Sequence, residues 1–150
     1  MEAESYSDEQ TASFINNNFV PLEAHIKEHP AYFHRFDTAW TPAVVILDPK
    51  GVERYRIEGY LPTDEFRAQL EMALARVAFM SKDFAAAEDK YTAVLDRFPN
   101  SKAAPEALYW KGVSNYKATN DHTVLGELPD QFQQKYPDSI WAMKTEAWRH

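Results

Sequence analysis

The stretch Asn18–Tyr60, NFVPLEAHIKEHPAYFHRFDTAWTPAVVILDPKGVERYRIEGY, decides how the chain is read. Ala43–Leu47 (AVVIL) is a continuous, mostly β-branched apolar run, the pattern of a strand covered on both faces. Asp48-Pro49-Lys50-Gly51 follows it as a reverse turn, because proline presets φ at its second position and glycine completes the reversal. From Val52 to Tyr60 side chains alternate, so the two runs predict a β-hairpin. Upstream, Phe19–Ile26 predicts a further strand with Val20, Leu22, Ala24 and Ile26 on one face. Pro21 cannot donate to a ladder, which suits the start or the edge of a strand. Between these runs, Ala31–Phe36 reads as one or two helical turns opened by Pro30.

Outside this stretch the pattern is helical. Ser7–Asn18 predicts a short helix with Ser7 as N-cap and Gln10 in a capping-box position, stopped by the asparagine run 16–18. From Leu61 onward, Phe66, Leu70, Ala73, Leu74, Val77 and Ala78 recur at helical spacing. Further helices are expected over 84–98, 103–117, about 123–136 and 140–148. Gly126 and Pro129 predict a kink or a split in the fourth of these five.

The chain has 150 residues, enough for one ordinary domain or two small ones. Its net charge of −7 argues against sequence-independent binding to nucleic acid or to anionic membranes, both of which need a basic surface. No apolar run approaches the roughly 20 residues of a membrane helix. The first ten residues, MEAESYSDEQ, are acidic and polar, with no signal-peptide pattern, so a cytoplasmic location is expected. There is no cysteine. Disulfides, thiolate metal sites, cysteine nucleophiles and autonomous thiol–disulfide chemistry are therefore excluded for these residues.

Phe98-Pro99-Asn100-Ser101 and Tyr136-Pro137-Asp138-Ser139 repeat at a spacing of 38 residues. Such boundaries after amphipathic helices belong to helix–turn–helix arrays. Leu74-Ala75, Ala78, Ala87, Tyr91, Val94 and Pro99, then Ala107-Leu108-Tyr109-Trp110, Gly112 and Tyr116, resemble about two tetratricopeptide units followed by a capping helix. Pro129 departs from that pattern. In such arrays aromatics serve packing before anything else. Tyr109, Trp110 and Tyr116 are the candidates for a helical partner groove.

Across residues 18–79 the order is strand, short helix, Trp-Thr-Pro, buried strand, Asp-Pro-Lys-Gly turn, strand, Gly-Tyr, helix. It resembles the second half of thioredoxin-like proteins. Asn18-Phe19-Val20-Pro21 is similar to one strand of that family, and Thr41-Pro42-Ala43 to the loop whose proline is cis. The resemblance implies that Trp40, Thr41 and Pro42 form a vestigial substrate- or partner-binding loop. The family's Cys-x-x-Cys and the strand before it have no counterpart here. The resemblance thus implies a fragment starting just downstream of the dithiol, or a chain that has lost it.

The expected fold class is α/β: an incomplete thioredoxin-like sheet with flanking helices over 1–79, followed by tetratricopeptide-like helices over 80–150. Without the intervening strand, two apolar strand edges face a gap, which predicts a homodimer or a rearranged sheet. The expected role is non-catalytic, through a protein or peptide partner. The alternative is a fragment of a bacterial thiol–disulfide oxidoreductase whose cysteines lie upstream of Met1. His25, His29 and His34 read as surface histidines because Pro30 breaks the element between them, so a metal-binding module is the weakest option. Glu53, Glu58, Glu65 and Glu71 read as solvated faces. No cofactor and no catalytic residue is expected.

Overall fold

The computed structural model describes residues 8–149. The expected Ser7 cap lies outside them. In chain order the elements are α1 (Glu9–Asn18), α2 (Pro30–Arg35), β1 (Ala43–Leu47), β2 (Glu53–Glu58), α3 (Thr63–Met80), α4 (Phe84–Arg97), α5 (Ala104–Thr119), α6 (Thr123–Lys135) and α7 (Ile140–Thr145). A 3-10 turn, Glu146–Trp148, ends the series. The chain divides into two compact units, Met1–Arg67 and Ala68–His150, with the division inside α3. Among the described residues, no helix is long and apolar enough to cross a membrane.

In the first unit, Asp8 caps α1. Its carboxylate accepts from the Thr11 N–H at 2.9 Å and from the Thr11 hydroxyl at 2.7 Å. These bonds favour the ionised form and hold its pKa below the usual value. β1 and β2 pair antiparallel, with Val44 opposite Ile57 and Ile46 opposite Tyr55. Between that pair and Leu47–Glu53 the register slips, because β2 has one residue more than β1.

The turn closing the hairpin is built on Asp48. Its Oδ1 accepts from the N–H groups of Lys50 at 2.9 Å and Val52 at 3.0 Å, and its Oδ2 pairs with Arg54 Nε at 3.0 Å. The Gly51 N–H donates to the Asp48 carbonyl at 2.9 Å, and Gly51 has φ +81°, a conformation other residues rarely take. The Arg56 guanidinium donates to the Phe36 carbonyl, and to that of Asp37 at 3.4 Å, tying the end of α2 to β2.

One expected strand does not form. Phe19–His25 has no regular structure, and Val20, Leu22 and Ile26 are 98%, 76% and 51% exposed. The physical reason is that alternation only prepares a segment for pairing. The ladder needs a neighbouring backbone, and among the described residues the sheet consists of β1 and β2 alone. The α/β class is therefore represented by a two-stranded antiparallel hairpin in a mostly helical chain.

In the second unit α4 packs on α5, α5 on α6, and α7 on both α5 and α6. Leu108, Leu128 and Phe132 form a buried centre, with Leu95, Tyr109, Trp141 and Trp148 packed around it. Asp83 and Ser139 cap α4 and α7 by accepting from the N–H groups of Ala86 and Ala142. The repeated boundaries meet, since the Tyr136 hydroxyl donates to the Pro99 carbonyl at 2.9 Å. Of the kink or split expected in α6, the split is absent: the helix runs unbroken through Pro129, which is buried, as is Leu128. Burial of that apolar face offsets the backbone hydrogen bond that proline removes. Glu71 is not solvated either; it is 5% exposed and pairs with Arg97 at 2.9 Å, which satisfies the buried carboxylate.

Two neighbouring positions on α5 give opposite expectations. A Cβ built on Gly112 would stand 2.5 Å from Leu128 Cδ1 and 3.1 Å from its Cγ, and Leu128 is 2% exposed. Overpacking of this kind costs about 1–3 kcal/mol, against about 1 kcal/mol gained in helix propensity. Gly112→Ala should lower Tm by about 3 °C, and Leu128→Ala should relieve the clash in a double-mutant cycle. The Ser114 hydroxyl is buried and, among the described residues, has no hydrogen-bond partner. Ser114→Ala should raise Tm by about 3 °C, since an unsatisfied buried hydroxyl costs about 1 kcal/mol. Thermal unfolding followed by circular dichroism measures both.

Candidate partner-binding sites

The first site lies at the open end of the hairpin. Thr41-Pro42 leads directly into β1, and its peptide bond is cis. The Gly59 N–H donates to the Pro42 carbonyl at 2.8 Å, so the backbone leaving β2 is held against the backbone entering β1. Gly59 has φ +85°, with nothing within 4 Å of a built Cβ. Its glycine identity thus follows from the backbone conformation and not from crowding. This bond joins Trp40, 69% exposed, and Tyr60, 73% exposed, to the same end of the hairpin. Thr41 is exposed and Pro42 half-buried. Among the described residues, the side chains of Trp40 and Thr41 make no hydrogen bond or ring contact. Two large exposed aromatics flanking a fixed loop are an arrangement suited to covering an apolar ligand group. Tyr60 was legible only as the residue after Gly59; its exposure comes from the Gly59–Pro42 hydrogen bond, which no sequence pattern announces.

The second site is an aromatic cluster on α3, α5 and α7, all within the second unit. The Tyr109 ring lies 5.4 Å from Trp110, 5.0 Å from Trp141 and stacked 5.3 Å from Trp148. Trp110 meets Phe79 edge-on at 5.3 Å. Tyr109 and Trp110 are thus brought together. Tyr116 is not part of the cluster. It sits seven residues beyond Tyr109, about 10 Å along the axis, with its ring 5.0 Å from His122.

Charges border the rings. The Arg76 guanidinium lies 5.0 Å over Trp110, and the Lys144 ammonium 4.1 Å over Trp141, both within cation–π range. Glu106, one turn before Tyr109 and Trp110 on α5, has its pKa pushed up by burial, against the opposing pull of Arg76 and Lys144. Burial likewise raises the Tyr109 phenol. The spacing 106, 109, 110 places the carboxylate and both rings on one face of α5, a signal the sequence does contain. Trp141 and Lys144 on α7, and Trp148 on the 3-10 turn, add two further rings and a cation. Half-buried rings with hydrophobic backing first of all close this end of the helical stack.

Elsewhere, an open groove of about 490 Å³ runs along α1 beside Arg67, whose guanidinium lies 5.6 Å from the Phe14 ring. His25, His29 and His34 are exposed. Among the described residues, no three His, Asp or Glu side chains converge as metal ligands.

The family model of the thioredoxin-like domain matches residues 1–74, which include the hairpin and the Thr41-Pro42 loop. Over those residues the chain is similar to that domain. No curated protein and no solved structure matches the chain significantly.

The raised pKa of Glu106 has a pH signature. An acid whose folded pKa stands above its unfolded value imposes no penalty below that unfolded value, near 4.5. The penalty grows as pH rises between the two values and is complete above the folded one. Glu106→Gln should therefore be more stable than the parent chain at pH 7, with the difference vanishing as the pH falls to 4. Urea midpoints at the two pH values measure it, and an equal gain at both would contradict this account of Glu106.

Proposed function

We propose that the chain is a redox-inactive, thioredoxin-like protein–protein interaction module that scaffolds or recruits protein or peptide partners, a second copy of itself among them. The observation that carries this reading is the pair of solvent-exposed aromatics, Trp40 and Tyr60, at the fixed end of the β1–β2 hairpin. Large aromatics are enriched at partner contacts and dominate affinity where a partner covers them. The thioredoxin-like match supplies the loop, while the absence of cysteine removes the chemistry usually attached to it. Trp40, Thr41 and Pro42 are assigned to partner contact. Tyr109 and Trp110 are assigned to a second groove on the helices, which we read as tetratricopeptide-like over about 80–150; Tyr116 would border it from the far end of α5. The acidic chain is read as working in the cytoplasm.

The thioredoxin-like match also favours a second reading, in which these residues belong to a bacterial thiol–disulfide oxidoreductase whose reacting cysteines lie outside them. Insulin reduction separates the two. A cysteine-containing extension encoded in frame upstream should confer activity if the second reading holds, and the 150 residues alone should give none.

For the first reading, twelve-residue peptides selected from a random display library against the immobilised chain should lose at least tenfold in affinity on Trp40→Ala. That corresponds to about 1.4 kcal/mol. Selected peptides that bind Trp40→Ala and Tyr60→Ala as tightly as the parent would sink the assignment of this end of the hairpin.

A further inference from the structure

We infer that two copies of the chain exchange strands, the irregular segment Phe19–His25 of each lying against the outer edge of β1 in the other. This deepens the second-copy part of the proposed function and does not depend on peptide binding at Trp40, so either can fail alone.

The hairpin has two edges of different character. The outer edge of β2 belongs to a strand carrying Glu53, Arg54, Arg56 and Glu58, and Arg56 is engaged there with the carbonyls of Phe36 and Asp37. Charged side chains are one of the devices that protect an edge from pairing. β1 has none. Its five residues, Ala43-Val44-Val45-Ile46-Leu47, carry no charge and no proline, and among the described residues β2 is its sole strand partner. An uncharged apolar strand with one unpaired row of N–H and C=O groups is a template for another strand. A two-stranded hairpin is marginal in water, and a third strand is what such a sheet needs.

The same chain carries the complementary piece. Phe19–His25 has no regular structure, and Val20 and Leu22 hold 98% and 76% of their surface in water. Within one copy the segment therefore does not cover its apolar side chains. In a strand, successive main-chain groups point to opposite edges. Residues 20, 22 and 24 present one edge, and Pro21, Glu23 and His25 the other. Pairing through 20, 22 and 24 leaves Pro21, which has no N–H, facing solvent, so no ladder bond is lost.

The side chains agree with the main chain. By register, Val44, Ile46, Tyr55 and Ile57 share one face of the hairpin, the face that holds the buried Ile46 and Ile57. Paired as a strand, Val20, Leu22 and Ala24 share one face of the segment, which ends before the turn that starts at Ile26. Joining these faces extends the apolar layer and turns Glu23 to the side of the sheet that carries Arg56. A two-fold exchange makes two such junctions at once and leaves neither copy with an open β1 edge.

The absence of cysteine makes the test clean. In an equimolar mixture under oxidising conditions, Val44→Cys should form a mixed disulfide with at least one of Val20→Cys, Leu22→Cys and Ala24→Cys. Each of these chains has a single thiol, so only contact between copies can give that product. Light scattering should report about twice 17.3 kDa for the parent chain. Leu22→Lys, at a position exposed in the single copy, should return the chain to monomer with unchanged helical circular dichroism. A parent chain that stays at 17.3 kDa at high concentration overturns the inference. A dimer that survives Leu22→Lys and gives no mixed disulfide overturns it too, by placing the interface elsewhere.

Discussion

Asp48 closes the turn on which the structured part of the first unit depends. One carboxylate accepts two backbone N–H groups within the turn and pairs with Arg54 across it, while Gly51 supplies the positive φ that lets the chain reverse. The hydrogen bonds to the Asp48 carboxylate, that from Val52 above all, hold its pKa below the ordinary carboxylate value. That closure sets the register between β1 and β2. The register decides that Ile46 and Ile57 are buried on one face and that Arg56, opposite Val45, lies on the other. Arg56, so placed, reaches the carbonyls at the end of α2. Sequence, turn chemistry, register and the anchoring of α2 thus follow one another from a four-residue signal.

The helical unit depends on a different device, the close approach of α5 to α6. Gly112 leaves room for Leu128, and Leu128 with Leu108 and Phe132 makes the centre around which the aromatics of α5 and α7 gather. The same interhelical fit explains how Pro129 is tolerated. The helix loses one backbone bond and keeps its buried face, and burial of several apolar groups outweighs that loss. The aromatic cluster is therefore in part a consequence of packing. Its distinctive feature is electrostatic: Arg76 and Lys144 stand over two indoles, with the half-buried Glu106 between their fields.

Much of this was legible in the chain. The run AVVIL, the Asp-Pro-Lys-Gly turn and the alternation after it marked the hairpin because each is a local property: β-branching, preset φ and period two. Helical spacing marked α3 to α7 for the same reason. The failures are non-local. Phe19–Ile26 has strand periodicity, yet a strand is a relation between two backbones, and its partner was not specified by its own residues. Glu71 looked like surface because its neighbour Arg97 is on another helix. Of the candidate sites, Trp40-Thr41-Pro42 could be picked out in sequence, but the Gly59–Pro42 bond that brings Tyr60 to the same end could not. Tyr116 shares a helix and a motif with Tyr109, and the rise of the helix alone separates them.

The thioredoxin-like match and the missing cysteines point to one physical conclusion about residues 1–74. In a thiol–disulfide exchange the reacting atoms are sulfurs, and without them a loop such as Trp40-Thr41-Pro42 can hold a chain but cannot exchange a bond with it. In the proposed role, recognition rests on shape, exposed aromatic area and unpaired backbone. Those are the three properties the hairpin displays: a fixed loop at one end, Trp40 and Tyr60 in solvent, and an uncharged strand edge without a neighbour among the described residues. If the proposed strand exchange holds, association adds a third strand to a marginal two-stranded sheet, so folding and association are coupled through the β1 edge.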